Sequence, residues 1–199
     1  MKRTALGIAL FFITSILFGQ KRPGEWSIAV MNAHTAKPFA SFSGLLYRDW
    51  HPGFEAGRFF NWNAKKNHEW FQTLNAGYFY HRWVQHTISL YSQLGYRHKL
   101  PFHFAGGAKI GVGYMHAIAD SKVYKIDAET GLKKKRNLGR PQGMASFSLE
   151  LQRKISENDR QIFLEYQQRL QFPFVKNYVA LLPYNILMVG VKIPVNTHY

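Results

Sequence analysis

The chain has 199 residues, 46% of them apolar and 16% aromatic, no cysteine, and 26 basic against 11 acidic side chains for a net charge of +15. One domain fits in that length, and the missing cysteines exclude a disulfide scaffold, thiol catalysis and a lipoprotein thioether. So large a basic excess needs an anionic neighbour, of which nucleic acid and lipid phosphate are the common kinds.

Residues 1–19 pair the basic start Met1-Lys2-Arg3 with an apolar stretch from Ala5 to Phe18 and then Gly19. This is the build of a cleaved secretory signal, and it is short for a membrane-spanning helix. Residues 20–199 are then an exported domain, a setting that favours lipid over nucleic acid as the anionic partner.

Eight segments alternate apolar and polar side chains with the period of a strand. The first runs from Trp26 to Ala33, with Trp26, Ile28 and Val30 on one face. From Gly53 to Trp62, Phe54, Ala56, Phe60 and Trp62 oppose Glu55, Gly57 and Asn61. Trp70 to His81 sets Leu74, Ala76, Tyr78 and Tyr80 against Thr73, Asn75, Gly77 and His81. Gln85 to Arg97 sets Ile88, Leu90, Leu94 and Tyr96 against Thr87, Ser89, Gln93 and Arg97. Phe102 to His116 alternates apolar residues with glycine or Lys109 from Ala108 onward. Met144 to Arg153 opposes Ala145, Phe147, Leu149 and Leu151 to Ser146, Ser148, Glu150 and Gln152. Gln161 to Phe172 opposes Ile162, Leu164, Tyr166, Leu170 and Phe172 to Glu165, Gln167, Arg169 and Gln171. Tyr184 to Pro194 opposes Leu187, Val189, Val191 and Ile193 to Met188, Gly190 and Lys192.

Each segment has about the ten residues that a tilted strand needs to cross a hydrocarbon layer. Short connections (Asn63–Glu69, His98–Pro101, Lys154–Arg160) alternate with long ones (His34–Pro52, Ala117–Gly143, Pro173–Pro183), apart from the tight turn Arg82-Trp83-Val84. The pattern predicts an all-β, eight-stranded antiparallel transmembrane β-barrel with short periplasmic turns and longer extracellular loops. A soluble lipid-binding barrel would put its apolar set inside, where there is too little room for it. Arg58 falls on the apolar face and is expected near the periplasmic rim or at a bulge.

The runs His51-Pro-Gly-Phe-Glu-Ala-Gly, Leu74-Asn-Ala-Gly-Tyr-Phe-Tyr-His and Lys109-Ile-Gly-Val-Gly-Tyr-Met-His resemble the small, largely uncharacterised outer-membrane β-barrel proteins of Gram-negative bacteria of the Bacteroidota type. The resemblance implies the fold and an outer-membrane location, reached with the help of the barrel-assembly machinery. It implies no activity.

Eight strands leave an interior just wide enough for side chains, so the inward charges must neutralise one another. Glu55, Glu150 and Glu165 against Arg97, Lys109, Arg169 and Lys192 make a charge network that closes the lumen. The alternative of a small-solute or ion channel needs a ring of charges that the sequence does not supply. His81, His86 and His116 are weak candidates for a metal site at the extracellular rim; no metal and no cofactor are expected. A lipid A-modifying acyl hydrolase or acyltransferase is the competing function, for which Ser89 with His86, or Asp120-Ser121 with His34 or His51, are the available groups. In the long loop after the fifth segment, Lys133, Lys134, Lys135 and Arg136 follow the turn signal Glu129-Thr-Gly-Leu, and a hairpin there is expected to contact lipopolysaccharide phosphates.

Overall fold

The structure is a computed structural model, and it describes residues 24–35, 50–64, 67–82, 84–120, 124–126, 133–135, 139–155, 159–174 and 180–195. The signal segment 1–19, Trp83, Ser121 and Arg136 lie outside them. Among the described residues there are ten strands: β1 (Glu25–Thr35), β2 (Pro52–Ala64), β3 (His68–His81), β4 (Gln85–Lys99), β5 (Phe104–Ala119), β6 (Tyr124–Ile126), β7 (Lys133–Lys135), β8 (Arg140–Lys154), β9 (Gln161–Phe172) and β10 (Leu182–Pro194). Eight of them close in the order β1-β10-β9-β8-β5-β4-β3-β2, every neighbour antiparallel. The protein is therefore an all-β, eight-stranded closed antiparallel barrel.

Alternation decides which side chains face in. Ile28, Val30, Phe54, Ile88, Leu90, Ile110, Val112 and Val189 are each half or more exposed, whereas Ser27, Glu55, Thr87, Ser89, Lys109 and Lys192, on the opposite parity, are buried. Aromatic residues collect toward the two ends of this outer surface. Trp26, Trp70 and Tyr96 stand toward the short turns, with the Trp70 and Tyr96 rings 5.1 Å apart. Tyr78, Tyr80, His86, Tyr114 and His116 stand toward the long loops.

The interior is divided lengthwise. Ala29, Met31, Ala33, Phe79, Phe163, Tyr184, Ile186 and Met188 form an apolar cluster, with β1 and β10 contributing most of it. The buried polar side chains belong mainly to β3, β4, β8 and β9, with Lys109 from β5. Glycines on the inner face of β5 make room there: a Cβ on Gly111 would stand 2.5 Å from Gln93 Cγ, and one on Gly107 2.9 Å from the Tyr96 carbonyl oxygen.

Most wall strands run a residue or more beyond the segments expected from sequence, and only β9 agrees at both ends. β5 starts at Phe104 and not Phe102, because Phe102 and His103 take φ of 59° and 63°, a left-handed backbone that ends any strand. β8 starts at Arg140, ahead of Met144, although Pro141 lacks a donor. Before Gly143 the strand pairs with β5 alone, β9 joining only from Gly143↔Phe172, so Pro141 sits at an edge. In the long loop β6 and β7 pair as a small hairpin, Tyr124↔Lys135 to Ile126↔Lys133, and the Glu129-Thr-Gly-Leu turn lies outside the described residues. Arg58 does stand on the outer face three residues before a bulge between Asn61 and Asn63, its guanidinium 5.1 Å from the Trp26 ring and 5.6 Å from that of Phe60.

Candidate functional site

The inward charges form two clusters stacked along the lumen. Toward the short turns the centre is Glu150, on β8. Lys109 Nζ donates to its Oε2 at 3.0 Å and also to Glu165 Oε2 at 2.6 Å. Lys192 from β10 binds the other Glu150 oxygen and donates to Gln152 Oε1 at 2.6 Å. Arg97 Nη2 stands 3.7 Å from Glu150, while its Nη1 donates to Glu69 at 2.7 Å and lies 3.7 Å from Glu25. Three cations thus converge on one carboxylate, and Arg97 carries the network on to two more.

Aromatic faces line the same cluster. Lys192 Nζ is 4.4 Å from the centre of the Phe59 ring and the Arg97 guanidinium 4.6 Å from that of Phe71. The negative faces of those rings attract the cations and supply bulk that excludes water.

Nearer the long loops, Arg169 Nη2 reaches Glu55 Oε2 at 3.3 Å, and Tyr91 Oη donates to the same oxygen at 2.6 Å. Arg169 Nε donates to Gln167 Oε1 at 2.9 Å and its Nη1 to Ser89 Oγ at 3.2 Å. Above this lies a layer of amides, in which Gln85 Nε2 donates to Gln171 Oε1 at 2.8 Å and to Tyr184 Oη at 2.9 Å, and Gln171 bonds Gln142. Buried charge is costly unless it is paired and hydrogen-bonded, and here every lumenal cation has at least one carboxylate partner.

The structure places all seven charges named from sequence (Glu55, Arg97, Lys109, Glu150, Glu165, Arg169 and Lys192) on the inner wall, five of them in the Glu150 cluster and Arg169 with Glu55 in the other. It adds two that the sequence reading left out, Glu25 and Glu69. Both lie one residue before the points where the first and third segments were expected to begin, on the parity of Ser27 and Phe71, so extending the alternation by one residue would have found them.

The histidines do not assemble as expected for a metal site. His81 is inward and stacked on His51 at 3.8 Å, with His34 edge-on to His51 at 4.7 Å. His86 and His116 are on the outer face, where they hydrogen-bond Tyr78 and Tyr114, each at 2.8 Å. The cause is parity, since His81 and His86 flank a turn on opposite phases of their strands. Among the described residues no group of three His, Cys, Asp or Glu side chains is arranged to hold a metal ion.

Nor does Ser89 meet His86. The serine hydroxyl points into the lumen, donating to the Gly77 carbonyl at 3.3 Å. His86 instead approaches Asp120 at 3.7 Å on the outside. Lys133, Lys134 and Lys135 lie on β7 of the loop hairpin.

Fold and interior together define a class, the small closed barrel with an apolar exterior and an ionic core. No family model matches the chain, and no curated protein matches it. Solved structures with a similar course include the outer-membrane enzyme PagL, at 12% identity and a TM-score of 0.49, over 86% of this chain and 99% of that one. Another is Ail, the attachment invasion locus protein of Yersinia pestis, at 13% and 0.49 over 87% and 99%. A third is Neisserial surface protein A, at 9% and 0.46 over 86% and 96%. At these values the likeness is one of general barrel shape, and it says nothing of chemistry.

Proposed function

We propose that this protein is an outer-membrane β-barrel with periplasmic short turns, an ion-filled closed lumen and a structural or surface-interaction role. The observation that carries the reading is the inversion of the usual burial pattern. A continuous belt of Ile, Val, Leu and Phe is exposed around the outside while Arg97, Lys109, Arg169 and Lys192 are buried within. A monomer in water rarely exposes so large an apolar surface, whereas lipid favours it. Export through the segment 1–19 and folding by the barrel-assembly machinery belong to this reading.

The location is tested by fractionation and by gel migration with and without boiling. A heat-modifiable band in the outer-membrane fraction is expected, and recovery as a soluble periplasmic protein would overturn it. Closure of the lumen rests on the linked side chains that cross it. In planar bilayers the refolded protein should give no stable conductance steps, and large, long-lived steps would make it a channel.

The basic hairpin is the surface we assign to lipopolysaccharide. Replacing Lys133, Lys134, Lys135 and Arg136 together with glutamine should leave the heat-modifiable band unchanged, because a loop hairpin adds little to the barrel ladder. Binding of lipopolysaccharide should weaken by about 1 kcal/mol per charge at low salt, and by less at physiological salt, where the Debye length is about 8 Å. Equal binding by both proteins at both salt concentrations would remove this partner.

A further inference from the structure

We infer that Arg58 is a binding site for a phospholipid phosphate, in the leaflet that meets the short-turn end of the barrel. The site presupposes the outer-membrane location proposed above. The carboxylates of the eight wall strands, Glu25, Glu55, Glu69, Glu150 and Glu165, all stand on the inward parity, so among the described residues the outer wall carries no acid. Arg58 nevertheless faces out, half-buried, in the middle of β2. The lumenal cations each have a carboxylate in reach, whereas among the described residues Arg58 makes no ion pair and no hydrogen bond. Hydrocarbon supplies no substitute, and the cost of a basic residue on a lipid-facing wall falls only toward the head groups.

Register and ring contacts fix its depth and direction. Arg58 pairs with Trp26, one step in from the last β1–β2 pair, Glu25↔Phe59. Trp26 is exposed and belongs to the aromatic girdle of that end, and such girdles mark the level of the head groups. The guanidinium lies 5.1 Å from the Trp26 ring and 5.6 Å from that of Phe60, two residues nearer the turn on the same strand. The side chain therefore leans toward the head groups. Its Nε is enclosed, which leaves the two terminal amino groups to meet a ligand. Their fork matches two oxygens of a phosphate, and the flanking rings keep water from the contact, which strengthens it.

The chemistry sorts the candidates. A lipid without phosphate brings no anion. Free phosphate brings the anion but no acyl chains to hold it against a lipid-facing wall. A second copy of the barrel has no outward carboxylate on its wall strands to offer. A phosphodiester carried on acyl chains meets every requirement.

The refolded mature barrel in nonionic detergent is titrated with phosphatidylglycerol, with diacylglycerol of the same chains and with inorganic phosphate. Native mass spectrometry counts the lipid retained, and the Arg58 Nε–Hε resonance gives a local reading that lipid held at the basic hairpin does not move. Phosphatidylglycerol is expected to be retained saturably and to shift that resonance. Diacylglycerol should bind about fivefold or more weakly, and inorganic phosphate should not displace the phospholipid. Arg58→Leu should weaken phosphatidylglycerol by about fivefold or more, the scale of one basic residue at an anionic surface, with diacylglycerol binding unchanged. Arg58→Gln carries the same comparison where the leucine variant fails to refold. A resonance that phosphatidylglycerol leaves unmoved, undiminished phospholipid binding by the refolded variants, equal binding of diacylglycerol, or displacement by inorganic phosphate would overturn the inference. Any of these beside a heat-modifiable outer-membrane band removes the site and leaves the barrel reading standing, whereas a soluble periplasmic protein removes both.

Discussion

Glu150→Gln should be the most damaging single change in the lumen, costing about 3–5 kcal/mol of folding stability, the range found when one partner of a buried ion pair is removed. Lys109, Lys192 and Arg97 all face this carboxylate, and with it neutral the short-turn half of the lumen holds three cations with fewer anions to balance them. The measurement is equilibrium urea unfolding in lipid vesicles, followed by tryptophan fluorescence and by the heat-modifiable band. Adding Lys192→Met to Glu150→Gln should restore part of the loss, because it removes a cation from the same place. A single variant as stable as the wild type would mean that the network does not hold the barrel together.

Gly113→Val should be nearly as harmful, for a reason of space rather than charge. Gly113 pairs with Tyr91 across β4 and β5, and a Cβ there would stand 2.2 Å from Tyr91 Cβ and 2.5 Å from the Leu90 carbonyl oxygen. Neither neighbour is the far end of a flexible chain, so the strands must separate. We expect a loss of about 3 kcal/mol, at the upper end of overpacking costs. Gly106→Ala is the control, since its added Cβ would meet only Leu100 Cδ1 at 3.7 Å. Unfolding curves of the two variants should part clearly, and coincident curves would contradict the packing argument.

The fold was legible in the sequence because one physical rule, a side-chain period of two, applies along every wall strand. It also sorted Glu55, Lys109, Glu150 and Lys192 to the interior without knowledge of which strands are neighbours. The rule is weakest at strand ends, where backbone conformation overrides side-chain character. Phe102 and His103 have the residue types of a strand and the dihedrals of a turn. The same rule, carried one residue further, reaches Glu25 and Glu69, and applied strictly it separates His81 from His86.

Pairing within the lumen was not legible. Lys192 meets Glu150 over the intervening strand β9, and the contact depends on the registers in which β8 and β10 pair with that strand, Glu150↔Glu165 and Lys192↔Gln161. Likewise the cavity lined by Glu25, Glu69 and Arg97 depends on where the short turns come together. No local pattern encodes that.

The joints of the wall are unequal in length. β4 and β5 are zipped from Gln85↔Ala119 to Lys99↔Ala105, whereas β1 and β2 pair only from Glu25↔Phe59 to Asn32↔Pro52. A cylinder of unequally joined staves parts along its shortest joint. On its other edge β1 is held by β10 along its whole length, from Glu25↔Pro194 to Thr35↔Tyr184. The first strand is thus a flap hinged on the last one, with its loose side toward β2. Opening of this barrel by heat or denaturant is expected to begin between β1 and β2.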